Sequence, residues 1–392
     1  MKNTLFQKIG IVGSGRMGED IFYHLNDFDY SLVWIFRKEQ IKKRALEKFN
    51  KKMKRLREAG ALDGKAFNDR NENTLMTLNH EDLKDCDLII EAIAEDTEMK
   101  SGLFRSLDRI VNRDCVFVSN SSSIKPSRIC PDSDRKRMFA GLHFFFPVRY
   151  NALVEIIGTD SCSPQAIGAL KHFTEAIAKR PLVLPEEGAF ILNKVIVYSQ
   201  APAFWALKEK VLGIKEIDAL VKKHVFSMGI FEFLDHVGLD VVLSSARNYL
   251  EDIEDQEIIT ATIEEVQKKV DRGNLGIKSG RGFYRYREDK GSEVKGEMKQ
   301  ISSGLREIYE NDLMDKISCL YINCSYGFID RGYVSESELD AALSEYRGVD
   351  KGPVMLGHEI GFDRVCAILR RHYRETGKGF FNPSPSLLKR AG

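Results

Sequence analysis

Gly13-Ser-Gly15-Arg-Met-Gly18 stands directly after the apolar run Lys8 to Val12 and directly before an apolar-periodic segment, Met17 to Leu25. A GxGxxG run with a strand before it and a helix after it is what the phosphates of a dinucleotide require. Gly13 permits the tight turn, Gly15 lets the backbone approach a pyrophosphate, and Gly18 allows close packing of helix on strand. The helix that begins there turns unpaired amides and the positive end of its dipole toward the phosphates. In such units a carboxylate at the end of the second strand normally accepts hydrogen bonds from the adenosine ribose. Here that strand ends Ile35-Phe36-Arg37-Lys38, so Phe36 stands where the acid is expected and a cation follows. Arg37 has two readings: it meets a 2′-phosphate, or it is a solvated arginine stacking on the adenine. The cofactor is therefore NAD or NADP. Between Arg37 and Arg57 lie eleven Lys or Arg and only two acids, Glu39 and Glu47. So basic a segment beside a nucleotide site either meets further phosphates or is a solvated face.

The elements that must position these groups follow from length and pattern. A chain of 392 residues exceeds the ~250 at which single cores stop growing, so two or three domains are expected. From residue 8 to about 157 short apolar runs alternate with helical patterns: KIGIV, SLVWI, TLMTL, DLIIEAI, CVFVS, MFAGLHF and ALVEII. That alternation predicts a parallel sheet with helices on both faces. A helical stretch from Ser163 to Ala178 and a short run at Leu182 to Leu184 follow, and Pro185-Glu-Glu-Gly188 then breaks the pattern. The reading is an α/β dinucleotide-binding domain at 1–185, an all-helical domain at 186–287, a charged linker at 288–299 and a second all-helical domain at 300–392. The last repeats the one before it. SMGIFEFLDHVGLDVV (227–242) and DKGPVMLGHEIGFDRV (350–365) align without a gap at an offset of 123 residues, matching Gly229 with Gly352, Gly238 with Gly361 and Asp240 with Asp363.

Bulk properties exclude other classes. With 59 basic and 58 acidic residues, no chain-wide field points to nucleic acid or an anionic membrane. The seven cysteines form no CxxC pair, which fits free thiols in a reducing cytoplasm. No apolar run reaches the ~18 residues of a membrane span, and the N-terminus has no export pattern.

The block from residue 119, SNSSSIKPSRICPDSDRKRMFAGLHFFFPVRYNALVEIIG, closely resembles the signature of 3-hydroxyacyl-CoA dehydrogenases. The resemblance extends over Glu91-Ala-Ile-Ala-Glu95, Ala189-Phe-Ile-Leu-Asn193, Phe231-Glu-Phe-Leu-Asp235, Ser279-Gly-Arg-Gly-Phe-Tyr284 and the tail Asn382-Pro-Ser-Pro-Ser-Leu-Leu. It implies a Rossmann-type domain followed by two tandem helical domains of the 6-phosphogluconate-dehydrogenase C-terminal type, with an acyl-CoA as substrate. It implies His143 as the base that takes the hydroxyl proton, a task suited to a group that titrates near neutrality. Glu155 would hold the imidazole tautomer and stabilise its cation, as carboxylates do in hydrolase triads. Ser122 and Asn193 would donate to the developing alkoxide, and Arg16, Met17, Asn120, Glu95 and Lys100 would line the cofactor. Taken singly, each has a plain structural role: Asn193 at a helix start, Glu155 paired with Arg149, Asp96 as a helix cap. The substrate is expected between the first two domains. A tandem helical copy implies either a homodimer or a single chain that mimics one. An enoyl-CoA hydratase would be a separate protein.

Three departures qualify the match: Phe146 stands where the family usually has Asn, Ala189 where it has Gly, and Phe36 where it has the ribose acid. They leave two rivals open, a dehydrogenase of free hydroxyacids or sugar acids and a non-catalytic scaffold that binds acyl-CoA or nucleotide.

Overall fold

Wholly apolar runs become strands covered on both faces, and amphipathic ones become the helices that cover them. The structure is a computed structural model and describes residues 6–286, 292–293, 299–346 and 351–392. Most of the expected linker therefore lies outside the described residues. The chain divides into two compact units, Met1–Ala189 and Phe190–Gly392.

The first unit is built on an eight-stranded sheet in the order β3-β2-β1-β4-β5-β6-β7-β8. Its strands are β1 (Lys8–Val12), β2 (Ser31–Ile35), β3 (Thr74–Thr77), β4 (Leu88–Glu91), β5 (Val116–Ser119), β6 (Phe139–Phe144), β7 (Leu153–Gly158) and β8 (Arg180–Pro185). Helices α1 (Arg16–Leu25), α2 (Glu39–Glu58), α3 (Gly64–Glu72), α4 (Thr97–Leu107) and α5 (Pro164–Ala176) complete it. Two apolar clusters, one on each face, hold the layers: one includes Ile9, Phe22, Trp34 and Leu142, the other Val12, Ile89, Phe104 and Phe117. All seven runs read as strands are strands. The expectation of a parallel sheet needs one correction, because β6 and β7 pair antiparallel. They are joined by a short loop, and a parallel pair needs a crossover of a dozen residues or more.

The second unit carries α6 (Ile191–Glu209), α7 (Ile214–His224), α8 (Ile230–Val237), α9 (Leu239–Tyr249), α10 (Glu257–Val270), α11 (Ser303–Asp330), α12 (Glu336–Glu345), α13 (Pro353–Ile360), α14 (Phe362–Thr376) and α15 (Pro385–Arg390). One exception to its helical character is a two-residue ribbon, β9 (Tyr284–Arg285) paired with β10 (Ser292–Glu293). The sequence repeat is also a repeat of conformation. Gly229 and Gly352 precede α8 and α13 with φ of −65° in both, and Gly238 and Gly361 join each to the next helix with φ of 106° and 88°. That positive φ is open to glycine at no steric cost. A Cβ on Gly229 would lie 2.3 Å from Asp218 Cγ, and one on Gly352 would lie 2.1 Å from Asp340 Oδ1. Each aspartate uses that closeness to cap a helix. Asp218 accepts from the Phe231 and Glu232 amides at 3.0 Å, and Asp340 accepts from Val354 at 2.8 Å.

Candidate active site

The antiparallel pairing of β6 and β7 sets His143 directly opposite Glu155. Side chains of opposed residues share one face of a sheet, and here His143 Nδ1 lies 2.7 Å from Glu155 Oε2 with both residues buried. A carboxylate acceptor at Nδ1 selects the tautomer with its proton there, so Nε2 becomes the nitrogen that can accept a proton. The alternative partner for Glu155, Arg149, is exposed and lies 3.9 Å from Asp27 instead.

A second cluster gathers at the carboxyl ends of β4 and β5. Glu91 closes β4, fully buried, and accepts from Lys100 Nζ at 2.7 Å, from Ser119 Oγ at 2.5 Å and from the Ile93 amide at 2.6 Å. Glu95 lies 3.4 Å from the same ammonium and accepts from the hydroxyl of Ser121, from both amide and hydroxyl of Ser123, and from the Ser122 amide at 3.1 Å. Burial alone would push the Glu95 carboxyl up; Lys100 and the serine donors outweigh it and hold it below the usual carboxylate range. The serine-rich turn is thus wound around one carboxylate, and Ser122 is fixed at its crest. Asn120, just past β5, accepts from the Phe144 amide through Oδ1 at 2.9 Å, which locks the turn to the residue after His143. Asp96 caps α4 by accepting from Met99 at 2.8 Å, as its plain reading required.

At the opposite flank of β4 the glycine fingerprint has the shape a dinucleotide needs. Gly13 adopts φ of 127°, and a Cβ there would lie 2.3 Å from Ala92 O; on Gly18 it would lie 2.2 Å from Gly13 O. On Gly15 it would meet nothing within 4 Å, so that position is open to a ligand. The first α1 bond is Glu19 N to Gly15 O, leaving the preceding amides of Arg16, Met17 and Gly18 without intrahelical acceptors. Trp34 braces the turn by donating to Gly13 O at 2.8 Å and stacks on Phe22 at 4.4 Å. Phe36 is buried 4.5 Å from the Trp34 ring, so an apolar side chain fills the place of the ribose acid. Arg37 is exposed and makes no ion pair among the described residues.

Beside α1 and α2 lies a groove of about 710 Å³ lined by Lys48, Lys51, Lys52, Arg55, Arg149 and Tyr150, and by Tyr23 and His24. Lys52 Nζ sits 4.1 Å from the Tyr23 ring centroid. Four of the eleven cations of the basic run, Lys48, Lys51, Lys52 and Arg55, thus line a groove.

Residues 8–187 match the family model of the 3-hydroxyacyl-CoA dehydrogenase NAD binding domain, and residues 189–286 match that of its C-terminal domain. A probable 3-hydroxybutyryl-CoA dehydrogenase of Deinococcus radiodurans is 30% identical over 284 residues, 71% of this chain and 100% of that protein. This chain belongs to the 3-hydroxyacyl-CoA dehydrogenase family. Its fold is that of the 3-hydroxybutyryl-CoA dehydrogenase of Escherichia coli, with a TM-score of 0.81, 21% identity and 98% of both chains covered. The fatty acid oxidation complex subunit alpha of Psychrobacter cryohalolentis is 25% identical over 95% of this chain, which spans 53% of that longer protein.

Membership in this dehydrogenase family makes the remaining residues informative. Ala189 takes φ of −54° and ψ of 139°, an ordinary conformation, and the left-handed backbone falls on Phe190 with φ of 58°. The exchange of glycine for alanine thus needs no unusual geometry at that position. Asn193, in the first turn of α6, donates to Tyr249 Oη at 3.2 Å and accepts from Tyr346 Oη at 3.4 Å. Sequence reasoning gave no site role to Asp20, Tyr23, Trp34 or Tyr150 and gave Arg149 only a pairing with Glu155, because tertiary packing alone brings them to the fingerprint and the groove. The one available signal was the spacing of Arg16 and Asp20, one helical turn apart after the fingerprint.

Proposed function

We propose that this chain interconverts 3-hydroxyacyl-CoA and 3-oxoacyl-CoA with NAD or NADP. The observation that carries the proposal is the buried His143–Glu155 pair, 2.7 Å apart on the neighbouring strands β6 and β7. When bound, the nicotinamide supplies the hydride acceptor at C4. His143 Nε2 takes the proton of the C3 hydroxyl as the carbonyl forms and returns it in the reverse direction. Glu155 holds the imidazole in position and offsets its developing charge. Ser122 donates to the substrate oxygen, whose charge grows in the transition state, and the family resemblance gives Asn193 the same role. Gly13, Gly15, Gly18, Arg16 and Met17 hold the pyrophosphate, and Glu95, Lys100 and Asn120 shape the nicotinamide side. The basic groove takes the phosphates of CoA, with Tyr150 available for stacking.

The names of the relatives favour a short acyl chain and a role in fatty acid oxidation; an enoyl-CoA hydratase is the partner this reading suggests. No helix among the described residues is long and apolar enough to cross a membrane. Domains at 1–185, 186–287 and 300–392 suit this reading, the last two standing in one chain as two subunits would in a dimer.

The test is absorbance at 340 nm with acetoacetyl-CoA and either NADH or NADPH, repeated with His143→Ala. Loss of absorbance that vanishes in the variant is the expected result. Turnover of a free hydroxyacid but no thioester would favour the second enzyme reading. Cofactor binding without turnover of any acyl-CoA would sink catalysis and leave a scaffold.

A further inference from the structure

Two residues on one face of α1, a turn apart, grip the loop that follows His143. The Arg16 guanidinium lies 3.7 Å from the centroid of the Phe146 ring. Asp20 Oδ2 accepts from the Val148 amide at 2.5 Å. At its other end the loop is fixed by Asn120, which holds the Phe144 amide at 2.9 Å. Phe145 packs on the His143 ring with centroids 4.4 Å apart. The segment carrying the base is therefore tied both to the serine-rich turn and to the first helix of the fingerprint.

Arg16 is the first residue of α1, immediately after the open Gly15. A guanidinium has five N–H donors around its edge and an apolar face. Stacking on an aromatic ring uses the face and leaves the edge to donate, and it also limits where an exposed, flexible side chain can go. We propose that Phe146 is a positioning residue: by holding Arg16 flat at the start of α1, it aims the guanidinium edge at the cofactor pyrophosphate. An asparagine at 146 offers no such face. The same stack makes cofactor affinity depend on a loop that belongs to the catalytic histidine. The inference rests on the dinucleotide reading of the fingerprint and not on which substrate is oxidised.

The experiment is equilibrium binding of NADH, followed by its fluorescence without any acyl-CoA, for the wild type, Arg16→Met, Phe146→Asn, Phe146→Tyr and the Arg16→Met/Phe146→Asn double variant. Arg16→Met is expected to weaken binding roughly five-fold or more and to flatten its salt dependence. Phe146→Asn should weaken it about three-fold, Phe146→Tyr should match the wild type, and the double variant should be no worse than Arg16→Met. Thermal melting of each variant keeps a folding defect from passing as a binding one. Equal affinity for Phe146→Asn and Phe146→Tyr, or additive losses in the double variant, would overturn the stack, and acetoacetyl-CoA turnover by the wild type would still decide the proposed function on its own. A wild type that binds no dinucleotide would overturn both this inference and the cofactor assignment.

Discussion

On the proposed mechanism Glu155 is worth most to His143 in the transition state, when the imidazole would carry charge. Glu155→Gln keeps the size but offers an amide whose N–H₂ favours the other tautomer, so kcat is expected to fall by about two to four orders of magnitude with KM little changed. Steady-state kinetics check this, and an equal rise in KM would instead assign Glu155 to binding. Arg37→Ala is expected to weaken NADPH use more than NADH use; equal losses would remove the 2′-phosphate role and leave adenine stacking. At this scale the sequence was legible where a residue acts through its type. The histidine, its acid twelve positions on and the three glycines were all readable. Trp34 beneath Gly13 and Arg16 over Phe146 were not, because a contact between residues far apart in sequence leaves no local pattern.

Among the elements, the strands were legible because each is apolar nearly throughout, but their direction was not. Periodicity says that a segment is extended and says nothing of which way it runs, and β7 reverses. That reversal is what brings Glu155 to His143. The ends of β4 and β5 hold a buried ion pair whose removal has a definite cost. Lys100→Met leaves Glu91 buried without its cation, and about 3–5 kcal/mol of stability should be lost in urea denaturation. A loss below about 1 kcal/mol would mean that Ser119 and the Ile93 amide satisfy Glu91 alone. Helix α1 carries a pH signature. Burial, with Lys179 nearby, lowers His24 from 6.5 to about 4, while its Nε2 lies 3.0 Å from Ile177 O. Between those values the unfolded chain binds the proton more readily, so stability falls as pH drops through that window. The difference between the wild type and His24→Gln should therefore shrink or reverse from pH 7 to 4 in denaturant titrations. A constant difference would show that His24 binds its proton in the fold as readily as in the unfolded chain.

Across the whole molecule, the two helical copies share one compact unit in which α6 packs along α11. Trp205 of α6 stacks on Phe380 at 5.6 Å, and Asn323 of α11 holds the C-terminal segment by donating to Phe380 O and Asn382 O at 3.1 and 2.9 Å. Phe380→Ala should destabilise this unit by roughly 3–5 kcal/mol, measured by denaturation; a smaller change would mean that Trp205 repacks. The repeat was legible from its glycines, since positive φ and the closeness of Asp218 and Asp340 both exclude a side chain. How the copies pack was not, because matching sequences say nothing of which faces meet.

Tyr346 belongs to the second copy and its hydroxyl reaches Asn193 of the first. Copies that met as separate chains would lose such a contact on dilution, because association depends on concentration. Here a single chain joins them, and the second copy meets the first at an effective concentration that the covalent connection sets and dilution does not change. The environment of Asn193 is thereby independent of how much protein is present, and activity per molecule should hold constant down to nanomolar enzyme.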